Sequence, residues 1–182
     1  MADLSKHDCK VLSEKIRNDF YKPLNSYKST IFLCGAALSD KTTARFKFAE
    51  ALKKAWYRNQ YDIVYPEDIF EELLYSSQSK DLLSLENLLA ESVDAIVLIP
   101  ESVGSIAELG AFANDIKLRG KIICVLDERY KKHKSFINQG PVKLIKKTNK
   151  DGVIYINPDN IANEIDKIIA SVKKLKKTSS KA

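Results

Sequence analysis

Residues able to do chemistry concentrate in one short stretch of this chain. Pro100-Glu101-Ser102-Val103-Gly104-Ser105-Ile106-Ala107-Glu108 leaves an apolar run and enters a helical pattern. Gly104 would permit a tight turn and Ser105 would cap the helix, leaving backbone N–H groups free at a helix N-terminus as a perch for an oxyanion or phosphate. Glu108 lies three residues beyond Ser105, and that spacing allows two readings. In one it completes a capping box, Ser105-x-x-Glu108, and only satisfies the cap N–H. In the other it is a carboxylate aimed into a ligand crevice as nucleophile or acid/base. The small residues Ala107, Gly110, Ala111 and Ala113 point to a helix pressed tightly against a sheet.

The elements that must position this stretch alternate apolar, β-rich runs with helical patterns, the signature of βαβ units. Strands are expected at residues 30–34, 61–65, 94–99, 121–126 and 153–156, the third being the most apolar and therefore central. Helices are expected at 42–57, capped by Ser39 or Asp40; at 68–91, broken near 76–79; at 105–118, stopped by Gly120; and at 157–174. A further helix is expected over residues 3–20, and a short helix near Phe136 or over residues 142–146. The expected fold is α/β: an open, mostly parallel five-stranded sheet flanked by helices, flavodoxin- or Rossmann-like. An N-terminal helical extension (1–28), the α/β domain (29–176) and a lysine-rich tail (177–182) make up the chain. In such a sheet ligands bind beyond the carboxyl ends of the strands, where strand order reverses. The loops 35–42, 66–68 and 100–108 should gather there.

Composition narrows the class. In 182 residues, 45% are apolar and 30% charged, as in a globular domain with a sizeable core. No apolar run reaches the roughly 18 residues of a membrane span, and the N-terminus has no apolar leader segment. Cys9, Cys34 and Cys124 are odd in number and unaccompanied by zinc spacings, which fits reduced thiols of a cytoplasmic protein and predicts neither metal nor cofactor. The net charge of +6 sits largely in residues 131–150 and in the C-terminal tail. The plain reading is solvated lysines; the sharper one is an electrostatic dock for RNA or DNA, without the basic–aromatic interleaving that stacks bases. His7 and His133 read as solvated, and Trp56 and Tyr57 as core and surface residues of a helix. The leucines of residues 68–89, with Tyr57, Tyr61, Tyr65 and Tyr75 nearby, predict a homo-oligomer.

Ile31-Phe-Leu-Cys-Gly35, then Asp94-Ala-Ile-Val-Leu-Ile-Pro-Glu101 and Gly104-Ser-Ile-Ala-Glu-Leu-Gly110-Ala-Phe, resemble the nucleoside 2-deoxyribosyltransferases over roughly residues 28–157. More closely, they are similar to the deoxyribosyltransferase-like effector proteins of bacterial retrons, which are anti-phage toxin components. The resemblance implies an N-glycosidase or transferase acting on a nucleoside, nucleotide or NAD, with Asp94 and Glu108 carrying the chemistry. Gly35, Ser39, Asp40, Glu101, Ser102, Gly104 and Ser105 would contact the substrate, and Ser39 and Asp40 would hold a base or ribose edge. Where the transferases place an acidic residue six positions before the glutamate, this chain has Ser102 with Glu101 beside it, which favours glycosidic cleavage over exchange of bases. The resemblance also implies an oligomer and a retron reverse transcriptase–DNA complex as partner. A nucleotide-sensing or scaffold domain without turnover is the alternative. A phosphoribohydrolase of the lysine-decarboxylase-like family would need PGG-x-G-T-x-x-E where this chain has Pro-Glu-Ser-Val-Gly-Ser.

Overall fold

Five apolar runs become five strands because their β-branched and aromatic side chains can be buried on both faces of a sheet. The computed structural model describes residues 28–67 and 82–179. Strands β1 (Ser29–Cys34), β2 (Tyr61–Val64), β3 (Ala95–Leu98), β4 (Ile122–Asp127) and β5 (Val153–Ile156) form one sheet in the order β2-β1-β3-β4-β5. Every pairing is parallel, with Phe32 opposite Val64 and Ile96, and Leu98 opposite Cys34 and Cys124. β3 lies between β1 and β4 and is buried along its length, as its hydrophobicity predicts.

Alternation along the strands divides the core in two. Ile31, Leu33, Val97, Ile99, Ile123 and Val125 face one side, where helix α1 (Ala44–Leu52) and the C-terminal helix (Ile165–Ser179) cover them. Phe32, Cys34, Ile96, Leu98, Cys124 and Leu126 face the other. That side is covered by α3 (Leu82–Ser92), α4 (Val103–Asn114), α5 (Ile116–Arg119) and α7 (Pro141–Thr148). The remaining helices are α2 (Ala55–Arg58) and α6 (Phe136–Gln139); the C-terminal one is α8. In the lysine-rich connection a single short helix is expected at one of two places, and a helix forms at each, Phe136–Gln139 and Pro141–Thr148.

Three helices differ from expectation; the terminal one, expected from residue 157, opens as a 3-10 helix over Pro158–Asn163 capped by Asn157, and α8 begins only at Ile165. The helix expected at 42–57 divides into α1 and α2, and its cap is Thr43, which accepts from Phe46 N, instead of Ser39 or Asp40. Asp40 instead closes a turn by accepting from Thr42 N at 2.9 Å and Thr42 Oγ1 at 2.6 Å. The helix expected at 105–118 begins at Val103 and breaks at Asp115, whose carboxylate accepts from Lys117 N and Leu118 N and so starts α5. The N-terminal helix, the break near 76–79 and the tip of the tail lie outside the described residues. Among those described, no helix is long and apolar enough to cross a membrane, and no group of His, Cys, Asp or Glu side chains could hold a metal ion.

Candidate active site

Strand order reverses between β1 and β3, so the crevice a ligand would enter is framed by the carboxyl ends of these two strands. β1 ends on Gly35, where backbone and side chains crowd: a Cβ there would fall 2.8 Å from Ile99 O and 2.9 Å from Arg45 Cδ. Only glycine lets the two strand ends and the arginine approach this closely. Arg45, in the first turn of α1, is buried and reaches back across the end of β1. Its guanidinium donates to Ala36 O and Leu33 O, each at 2.8 Å, and in fork fashion to the Glu67 carboxylate at 2.6 and 2.8 Å. Burial pushes the Glu67 carboxyl up, but the hydrogen bonds and charge of Arg45 outweigh that and hold it below its usual value.

Beyond β3, Glu101 is spent on architecture. Its carboxylate accepts from Ala44 N at 2.9 Å and Arg45 N at 3.1 Å, binding the N-terminus of α1 as an external anion would. The α4 cap lies one turn earlier than expected. Ser102 Oγ accepts from Ser105 N at 3.2 Å, and Ser105 Oγ accepts from Ser102 N at 2.9 Å, so the box is Ser102-x-x-Ser105. Gly104 sits inside the helix, and a Cβ on it would meet nothing within 4 Å, so it makes no tight turn. The Ser105-x-x-Glu108 box is therefore overturned, and Glu108 is released from capping.

Glu108 lies on the second turn of α4, half-buried, with its carboxylate at the end of β1. Burial pushes its carboxyl up; the Arg45 charge and a hydrogen bond from the Cys34 thiol pull it back, while Glu67 raises it. Among the described residues its Oε2 is buried without a hydrogen-bond partner, and so is Arg45 Nε. Burial and the negative charge of Glu108 together push the Cys34 thiol up, so it stays a neutral donor. Glu86, buried on α3, faces the same cluster. Burial, then the charges of Glu108 and Glu67, push its carboxyl up to about 7. Three carboxylates and one guanidinium thus share one end of the sheet. Glu108 has a cation and a thiol donor to stabilise its ionised form, whereas among the described residues no positive group offsets the shift of Glu86. Burial raises both carboxyls, and this difference in partners is what sets the two apart.

Of the expected site residues, the structure gathers Gly35, Glu101, Ser102, Ser105 and Glu108 around this end of the sheet. Ser39 and Asp40 lie exposed on the loop that follows β1. Asp94 does not join them. Its carboxylate accepts from Thr30 N at 2.9 Å at the start of β1, on the amino edge of the sheet. The length of β3, roughly 13 Å at about 3.3 Å per residue, lies between it and the Glu108 end. Parallel strands all run one way, so a residue preceding β3 cannot share the crevice with one that follows it.

Three members of the cluster were not anticipated: Arg45, Glu67 and Glu86. The signal for two of them is a charge inside an apolar helix stripe. Arg45 lines up with Phe48, Ala49 and Leu52, and Glu86 with Leu89, Ala90 and Val93, all buried at helical spacing.

With the geometry in place, comparison with known proteins adds the lineage. Residues 41–182 match the model of the STM3845 retron effector protein family. The chain belongs to that family. It is 41% identical over 174 residues to the "Retron Ec86 putative ribosyltransferase/DNA-binding protein" of Escherichia coli, covering 88% of this chain and 55% of that protein. It is 32% identical over 137 residues to the "Retron Ec73 putative ribosyltransferase/DNA-binding protein" of Escherichia coli, covering 74% of this chain and 43% of the relative. The chain thus spans about half the length of the curated relatives it matches. Membership in the retron effector family agrees with the resemblance carried by strands β1 and β3 and helix α4.

Proposed function

We propose that this domain breaks an N-glycosidic bond of a nucleoside, nucleotide or NAD, on a deoxyribosyltransferase-like scaffold, in anti-phage defence. The observation that carries the reading is the buried oxygen of Glu108, without a hydrogen-bond partner among the described residues, in a cluster with a second glutamate whose carboxyl is pushed up to about 7. The ribosyltransferase element in the relatives' names supports the same class of chemistry.

In this mechanism the C1′–N bond breaks and its electron pair leaves with the base. In a nucleoside or nucleotide Glu86 delivers its proton to the departing base, whereas the nicotinamide of NAD leaves as a neutral ring and needs none; the Glu108 carboxylate stabilises the oxocarbenium centre or forms a C1′–O bond to it. Water then supplies the oxygen of the released sugar and returns a proton to the pair; a second base in place of water would give transfer. Arg45 fixes Glu67 and favours the ionised form of Glu108 against its burial. The working molecule is a cytoplasmic homo-oligomer that acts with a retron reverse transcriptase–DNA complex.

Incubation with a panel of nucleosides, nucleotides and NAD, followed by chromatography for free base, tests the reading. Release that disappears in Glu108→Gln is expected. Binding of a nucleotide without any base release would replace the enzyme with the sensing domain.

A further inference from the structure

The exposed face formed by the loop after β4 with helices α6 and α7 combines charge and aromatic rings in a way the linear sequence conceals. Between residues 131 and 150 there are seven lysines and no acidic residue, and all seven are exposed. Lys143, Lys146, Lys147 and Lys150 follow one stripe of α7 and its end, opposite the buried Val142 and Ile145. The loop adds Lys131, and the two rows converge: the Nζ atoms of Lys131 and Lys146 lie 5.7 and 5.4 Å from the centroid of the same Tyr155 ring. Two rings stand open among these charges, Phe136 at 81% exposure and Tyr130 at 51%. Arg129 lies 5.8 Å over the Tyr130 ring, and His133 meets that ring edge-on at 5.4 Å.

The face is held in shape. Asn138 donates to Tyr130 O at 2.7 Å and His133 O at 2.8 Å, and accepts from the Tyr155 hydroxyl at 3.0 Å, which pins the loop to α6 and to β5. It opens at the end of β4, the same end of the sheet that carries Glu108, and α7 packs against α4.

We infer that this face binds a single strand of nucleic acid, the lysines neutralising phosphates while unpaired bases stack on Phe136 and Tyr130. Charge complementarity selects a polyanion. The open rings select one with unpaired bases, since a duplex or an acidic peptide would leave Phe136 without a partner. The inference does not depend on the glycosidic chemistry, because its readout is binding.

Fluorescence anisotropy of the full chain with labelled single-stranded DNA and RNA of equal length, their duplexes, and anionic vesicles tests it. Single strands are expected to bind more tightly than duplexes, with affinity falling as salt rises. Phe136→Ala should weaken single-strand binding roughly tenfold. Lys146→Gln with Lys147→Gln should reduce the salt slope by about 0.7 for each lysine that meets a phosphate. Thermal melts of each variant confirm that the fold is retained, and substitution of Lys176, Lys177 and Lys181 by Gln controls for general charge. Absence of binding, equal affinity for duplex, binding to vesicles alone, indifference to Phe136→Ala, or an equal loss from the tail variant would each overturn the assignment.

Discussion

At the scale of single residues, the decisive fact is that two glutamates near one another meet different surroundings. Glu108 faces Arg45 and the Cys34 thiol; among the described residues no positive charge offsets the burial of Glu86. Glu108→Gln is expected to lower base release on the order of 10³-fold or more, as for removal of a reacting group. Its melting temperature should be unchanged or higher, because the helix cap is Ser102 and the substitution removes a buried charge. A variant that keeps its activity contradicts the first statement, and one that melts much lower contradicts the second. Glu86 adds a pH dependence whose sign is fixed. Its carboxyl is pushed up to about 7 in the folded chain, above its unfolded value, so between roughly pH 4.5 and 7 the folded state binds more protons than the unfolded one. Stability must therefore fall as pH rises through that window, by on the order of 2 kcal/mol, and remain lowered above it. Denaturant titrations at pH 5 and pH 8 should show this fall, and Glu86→Gln should flatten it. The same protonation makes base release decline above about pH 7 in the unaltered chain and by about 10²–10⁴-fold in Glu86→Gln.

At the scale of elements, the site depends on how two helices are capped and by whom. Ser102 satisfies the α4 N-terminus locally, whereas α1 is held by Glu101 from a distant loop, which also sets the position of Arg45. Ser102→Ala should cost about 1 kcal/mol in urea titrations and leave the Arg45–Glu67 pair intact. Glu101→Ala should cost a similar amount, yet it should also reduce activity, because the first turn that carries Arg45 loses both of its bonds to the β3 loop. Equal activity in the two variants would show that the link does not matter. How much of this was legible follows from the same physics. The five strands and their parallel order could be read because runs such as Ala95–Leu98 carry enough β-branched bulk to fill both faces. The register of α4 could not, because Ser102 and Ser105 are both sound caps and lie about one turn apart. Asp94 was misplaced because a motif match carries no direction, whereas a parallel strand puts its first residue on the far edge. Arg45 and Glu86 were hidden by the apolar stripes they interrupt, and only packing shows that both act on Glu108.

At the scale of the whole molecule, the question is what covers the outer side of α4. Tyr57 and Tyr61, expected at an interface, are instead buried in the chain's own core, and Leu85, Leu88 and Leu89 of α3 are core residues too. On α4 itself, apolar surface lies opposite the buried Ser105, Leu109, Phe112 and Ala113: Val103 is 87% exposed and Ile106 43%, followed along the helix by Ala107 and Gly110. No charged side chain lies on that line, so two copies meeting there would bring no like charges into contact. The net charge of +6 acts only at longer range, where a Debye length of about 8 Å at physiological salt screens most of it. A second copy of the chain is the occupant we propose for this face. Such an interface would adjoin the Glu108 cluster, since both are built on α4, so association and activity should be lost together. Light scattering at micromolar concentration is expected to give a multiple of 20.6 kDa for the unaltered chain. Val103→Glu with Ile106→Glu should return the mass to that of one chain without lowering the melting temperature by more than a few degrees, because both side chains are already in water. A monomeric mass for the unaltered chain, unchanged by salt or concentration, would leave the face to another partner and remove self-association from the mechanism.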